Sequence, residues 1–197
     1  MTPTPAPAPL RLENRHTGEV LELLRVRGPD GLALRLRGSL PPGREGPPLH
    51  VHVEEDEDGT VVAGELTAQL GVDTLTVAAG GSVRLPRGVP HRWWNAGTEL
   101  LRFEGWVRPA VDLDRYLQGV FDVVNAGPPG RPPLIYMAHV ALRHQRTQRV
   151  LLMPGPLQAV VFRAAVVLGT LLGRYRGEDW PGAPARCPGA PEGSDVG

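Results

Sequence analysis

The sequence predicts an all-β core, an antiparallel sandwich or closed barrel, followed by an α-helical C-terminal extension. Two observations lead there. Between Leu10 and Val107, short segments that alternate apolar and polar residues are separated by Gly and Pro, the pattern of half-buried strands joined by turns. After Pro109 the apolar period lengthens to that of a helix. At 197 residues the chain suits one decorated domain with a sizeable core. Its expected divisions are a disordered tail over 1–9, the β-core over 10–108, a helical extension packed on it over 109–176, and a second disordered tail over 177–197.

Residues 1–9 alternate proline with small residues and cannot build a core. Strands are then expected over Glu19 to Arg25, Leu32 to Arg37, Leu49 to Val53, Thr60 to Leu70, Thr74 to Val77, Ser82 to Leu85 and Leu100 to Val107. So many short strands must close on themselves or stack to protect their edges, and a jelly roll is one such arrangement. In the extension, Leu113, Tyr116, Leu117, Val120, Phe121 and Val124 form one apolar stripe of a helix. Asp112 and Asp114 near its start complement the helix dipole. Gly127, Pro128, Pro129 and Gly130 end it. A second helix is expected over 133–147, with Leu134, Met137, Ala138, Ala141 and Leu142 facing the core and Arg143 to Arg149 at its C-terminus.

Leu157 to Gly173 reads as a third helix, interrupted only by Gln158, Arg163 and Thr170. Such a helix rises about 26 Å, short of the ~20 residues that span a bilayer, and Arg163 adds a cost in lipid. No transmembrane span is expected. The helix should pack across the barrel or form a dimer interface; insertion into a membrane surface, with Arg174 and Arg176 snorkelling, is the alternative. From Gly177 onward the Pro, Gly and Ala content indicates the loose tail.

Charge is balanced, with 21 basic and 21 acidic residues, so no global field attracts nucleic acid. Every basic residue but the histidines is Arg, which a coding bias explains. The lone Cys187 cannot form an internal disulfide, in keeping with a reducing compartment. The start MTPTPAPAPL lacks the features of a signal peptide, and the expected location is cytoplasmic.

The chemistry gathers at His50, His52, Glu57 and His91. On a strand, side chains at i and i+2 share a face, so His50 and His52 point together while Val51 points away. The polar stretch Val53 to Asp56 suggests a turn that returns Glu57 toward them. His91 follows Pro86 and Gly88, which suit a tight connection. Imidazoles with a carboxylate suit divalent first-row transition metals. His16, His139 and His144 lack such partners in sequence and are expected to be surface or hydrogen-bonded residues. Trp93 shares strand parity with His91 and is a candidate pocket residue; Trp94 should face outward, and Asn95 should fix a local turn.

The order His50-x-His52, four residues, Glu57, six residues, Gly64 resembles the first motif of the cupin superfamily. Gly80, five residues, Pro86-x-Gly88, two residues, His91, three residues, Asn95 resembles the second. The likeness, over roughly residues 12–176, is to single-domain bacterial cupins of the cupin-2 type with a helical C-terminus. It implies a jelly-roll β-barrel or sandwich, and His50, His52, Glu57 and His91 as ligands of Fe, Mn, Ni, Co or Zn. It also implies a homodimer by analogy. Two departures stand out: Arg44 replaces a glycine of the first motif, and Asp58-Gly59-Thr60 follows Glu57 where relatives carry bulky apolar residues, so the next strand should begin late. The carboxylates of 54–58 other than Glu57 read as a solvated turn, with Glu55 as the fallback ligand.

Three imidazoles and a carboxylate leave open positions on an octahedral ion for dioxygen or a chelating substrate. A dioxygenase-type reaction on a small organic molecule is the expected function. The alternatives are isomerisation on a Lewis-acid metal with Glu57 as base, and a module that binds a small molecule without turning it over.

Overall fold

The computed structural model describes residues 8–184. Cys187 and the remainder of both expected tails lie outside the described residues. The core strands are β1 (Leu10–Glu13), β2 (Val20–Gly28), β3 (Gly31–Leu40), β4 (Arg44–Glu45), β5 (His50–His52) and β6 (Asp56–Ala63). They continue with β7 (Glu65–Leu70), β8 (Asp73–Ala78), β9 (Ser82–Leu85), β10 (His91–Asn95) and β11 (Leu101–Arg108). The extension contributes α1 (Leu113–Ala126), α2 (Leu134–Arg143), β12 (Gln148–Val150) and α3 (Gly155–Leu171).

These strands form two antiparallel sheets, ordered β1-β2-β3-β11-β6-β9 and β12-β5-β10-β7-β8, with β4 also paired to β10. The fold is a jelly-roll sandwich with a helical extension. Strand alternation places Leu21, Leu23, Leu34, Leu36, Val61, Leu66 and Phe103 between the sheets as one apolar core. α1 lies on this core through Leu113, Phe121, Tyr116 and Leu117, the stripe read from its period.

Arg25 ties α1 to β2. Its guanidinium donates to both carboxylate oxygens of Asp114, at 2.6 and 2.7 Å, and to the carbonyls of Ala110 and Val111. The start of α1 is also held by Asp112, whose carboxylate meets His144 Nδ1 at 2.7 Å.

Several expected elements differ. The strand expected over Thr60 to Leu70 is divided at Gly64, whose φ of 74° places the chain in a region that favours glycine. The division sends β6 to one sheet and β7 to the other. Nor does the strand after Glu57 begin late: β6 starts at Asp56, and Gly105 of β11 lets the two strands approach closely. A Cβ on Gly105 would lie 2.0 Å from the Asp58 carbonyl oxygen.

The second helix stops at Arg143, and the basic segment after it turns into β12, which pairs with β5. The pairing satisfies backbone groups that a helix end would leave open. α3 packs through Phe162 and Ala165 on Ala138 of α2 and Val150 of β12, so its support is the extension and not the barrel. Val160, Val167, Leu168 and Leu171 face outward. None of the described helices is long and apolar enough to cross a membrane. The expected loose tail is corrected over 177–184: Trp180 stacks on Tyr136 and meets His139 and Tyr175 edge-on, and Gly182 is buried against Val140 and Val123.

Candidate metal centre

Register brings the first and second motifs together. β5 pairs with β10 so that His50 stands directly opposite His91. Parity turns His52 to the same face as His50, and the Gly88 N–H, donating to the His52 carbonyl at 2.8 Å, latches the Pro86–Gly88 turn beside them. The three histidines offer ligand nitrogens that all lie within 4.8 Å of one another. His52 and His91 are fully buried, at 1% and 0% exposure.

The rings are oriented from behind. His50 Nδ1 lies 2.9 Å from the Pro48 carbonyl, and His91 Nδ1 2.9 Å from that of Val89. A carbonyl only accepts, so both Nδ1 atoms carry the proton and both Nε2 atoms present lone pairs to the centre. His91 Nε2 is buried with no hydrogen-bond partner, an orphan that calls for a cation or a donor. His50 Nε2 and His52 Nε2 stand 3.2 Å apart, close to the ~3 Å expected between cis ligands with metal–nitrogen bonds of about 2.1 Å. Burial, with the neighbouring His91 and His52, pushes His50 down to about 3, and burial lowers His91 as well. Both are therefore neutral at physiological pH, the form that binds metal. The donor set and its orphaned nitrogen fit a divalent transition metal.

Glu57 arrives from the opposite sheet. Its Oε2 lies 3.2 Å from His52 Nε2. Burial alone would raise this carboxyl, but the His52 bond and, after it, the His52 charge hold it below the usual range. His52 responds in the other sense: burial works to lower it, while Glu57 and Glu55 together hold it above its ordinary value. Proton and metal thus compete for one set of lone pairs.

Glu55 corrects the expectation of a solvated turn. It is completely buried, behind His52, with Oε2 3.9 Å from His52 Nδ1. The Val111 N–H donates to Oε1 at 2.8 Å and Gln148 Nε2 donates to Oε2. Gln148 is the register partner of His52 across β5 and β12. Burial pushes the Glu55 carboxyl up against these donors. As arranged, Glu55 backs His52 from behind and does not join the cluster as the fallback ligand. The sequence held one clue to this: Glu55 and His52 are three residues apart beside the motif, but the acidic run hid which carboxylate turns inward.

A cavity of about 300 Å³ extends from the histidines into the sandwich. His50, His52 and Glu57 lie at one part of its wall, Trp93 and Phe103 line its side, and Tyr116 and Phe121 of α1 cover it. Trp93 packs edge-on against Phe103 at 4.9 Å between ring centres. Trp94 sits on the other face, under the Arg92 guanidinium. Asn95 Nδ2 donates to the carbonyls of Leu40 and Glu99 while its Oδ1 accepts from the Gly97 N–H, which fixes the turn after β10. His16 bonds the Val124 and Gly127 carbonyls, so it joins β-core to helix. Sequence reasoning set Glu19 at the start of a strand but missed it as a cavity residue, because a carboxylate at a strand end is ordinarily solvated. Only its parity with Leu21 and Leu23 signals an inward direction.

Residues 36–107 match the family model of the cupin domain, and the chain carries a cupin-2 type domain there. Over 78 residues it is 38% identical to the oxidoreductase iacF of Pestalotiopsis fici, a stretch that is 38% of each chain. The chain thus spans well under half the length of the curated relative it matches. Among solved structures it is similar to KdgF from Halomonas sp., at 19% identity over 49% of this chain and 84% of that one, with a TM-score of 0.41. It is similar also to a sugar phosphate isomerase from Silicibacter pomeroyi, at 22% identity over 44% and 58% of the two chains, with a TM-score of 0.38.

Proposed function

Starting from a cupin domain whose histidine cluster meets an apolar cavity through His50 and His52, we propose a metal-dependent oxygenase acting on a small, predominantly apolar organic molecule. His50, His52, His91 and Glu57 are the ligands in this reading, and the ion is a divalent transition metal from the group Fe, Mn, Ni, Co and Zn. The observation that carries it is the continuity of ligands and cavity: His50, His52 and Glu57 share one wall system with Leu23, Trp93, Phe103 and Tyr116. Among the described lining residues none is Arg, and the chain holds no Lys. A phosphate-bearing substrate would therefore find no cation to receive it apart from the metal end. The similarity to an oxidoreductase over part of the chain agrees with this reaction class.

When bound, such a metal supplies Lewis acidity and, where redox-active, a route for electrons to dioxygen. The residues do the rest. The carbonyls of Pro48 and Val89 aim His50 and His91, and Glu55 with Gln148 backs His52. Trp93, Phe103 and Tyr116 keep water from the reacting end. Glu57 supports the second reading, a Lewis-acid isomerase: its Oε2 reaches both His52 and the cavity, where it could take a proton from a bound substrate.

The test is elemental analysis of protein purified without a His tag, beside the His50→Ala/His91→Ala double variant, followed by oxygen uptake with flavonols, catechols and enediols. Near-stoichiometric metal in the parent, none in the variant, and metal-dependent uptake are expected. Absence of metal after anaerobic reconstitution overturns the reading. Metal without uptake, joined to a ligand that raises the melting temperature, turns it into a binding module.

A further inference from the structure

At the part of the cavity away from the histidines stands a carboxylate that the proposed metal chemistry does not use. Glu19 is 7% exposed and lines the cavity with Leu21, Leu117, Val120 and Val124. It precedes β2 on the parity of the buried Leu21 and Leu23, a place where a leucine would be the stabilising choice. Its side chain has no hydrogen-bond or ion-pair partner among the described residues, and burial alone pushes it up to about 7. Asn14, its polar neighbour on the wall, turns its Oδ1 to the N–H groups of His16 and Thr17, and no hydrogen bond joins its amide Nδ2 to Glu19 among the described residues.

The sheet separates this acid from the ligand end. The ladder sets Glu57 opposite Val107, Val107 opposite Leu34, and Leu34 opposite Arg25. Glu19 lies at the other end of β2, beyond Val20, which faces Ser39. The cavity therefore has polar groups toward both ends and an apolar body between them. A buried acid without a partner costs stability unless something in the site hydrogen-bonds to it.

The structure assigns Glu19 as the receiving group for a hydrogen-bond donor, a hydroxyl or an amine, at the far end of an elongated apolar ligand whose other end meets the histidines. This rests on the reading that the histidine end holds metal, and it narrows the substrate class of that site. Glu19 is a specificity residue here, not a ligand of the metal. A donor placed against it exchanges an unpaired buried carboxyl for a paired one, whereas a methyl group in the same place leaves it orphaned.

The probes are the straight-chain alkanoates from hexanoate to dodecanoate and their ω-hydroxy counterparts, whose carboxylate suits the metal end. Their dissociation constants are measured by calorimetry on zinc-loaded protein and on chelator-stripped protein. At the matching length the ω-hydroxy member should bind about tenfold more tightly than the plain one, the worth of one hydrogen bond to a desolvated group, and Glu19→Leu should abolish that preference. Glu19→Met serves the same purpose if the leucine variant is insoluble. Equal affinities at every length, or a preference that survives either variant, overturn the assignment. Failure of the metal reading looks different: carboxylate affinity is then the same with and without zinc, while the hydroxyl preference and its loss in Glu19→Leu remain.

Discussion

Replacing Glu19 by leucine should stabilise the protein, and by an amount that grows with pH. A carboxyl raised from 4.5 to about 7 keeps its proton longer in the folded chain than in the unfolded one. Between those values the folded state binds more protons, so stability falls as pH rises, by about 1.4 kcal/mol per pH unit, and it levels off above about pH 7. Integrated from about pH 5 to about pH 8, the loss is about 2.5 kcal/mol. Glu19→Leu removes this slope and adds apolar burial of about 1 kcal/mol or more. Urea unfolding of both proteins in the presence of chelator, with midpoints and slopes compared across this pH range, isolates Glu19 because every other titrating group is common to both. Parallel stability profiles would refute the reasoning, since they would mean that the carboxylate is solvated or paired.

Three further outcomes follow from particular contacts. Gln148→Leu removes a donor from Glu55 Oε2 and should lower metal affinity about 10-fold to 100-fold, with a loss of about 1–3 kcal/mol in stability; competition with a chromogenic chelator measures the first and urea unfolding the second. Gly105→Ala places a Cβ against the Asp58 carbonyl and should cost about 3 kcal/mol, the upper part of the range for overpacking, read from the unfolding midpoint. Val160 and Leu168 are 66% and 51% exposed on the outer side of α3; if the expected homodimer forms through this face, Val160→Asp/Leu168→Asp should sediment as a monomer, and an unaltered dimer would place the interface on another surface.

What the sequence made legible depends on how local the determining physics is. Strand parity and tight turns act over a few residues, so His50-x-His52 and Pro86-x-Gly88-x-x-His91 could be read directly, and the register between β5 and β10 then converged them. The α1 stripe was equally local. Glu55 was not legible, because the run from Glu54 to Asp58 has one composition and two fates: Glu55 turns inward to Val111 and Gln148, while Asp56 pairs with Arg87 at the surface. β12 escaped for a related reason. It is three residues long, too short to show a period, and it is a strand only because the edge of β5 is there to pair with it.

That edge explains why the extension belongs to the site's chemistry and not only to its packing. The cupin-domain match ends at residue 107, yet Val111 and Gln148, which orient Glu55 behind His52, both lie beyond it. So do Tyr116 and Phe121, which cover the cavity. A chain cut after β11 would leave Glu55 buried without its two donors and would open the apolar wall to water. Both changes act on His52: loss of the donors removes what positions the carboxylate near Nδ1, and water weakens the field of Glu57 and Glu55 that holds this imidazole above its ordinary value. The extension therefore tunes the central histidine from behind while α1 shapes the space in front of it. Substitutions in β12 should accordingly alter metal affinity, whereas substitutions on the cavity face of α1 should alter which apolar ligands bind.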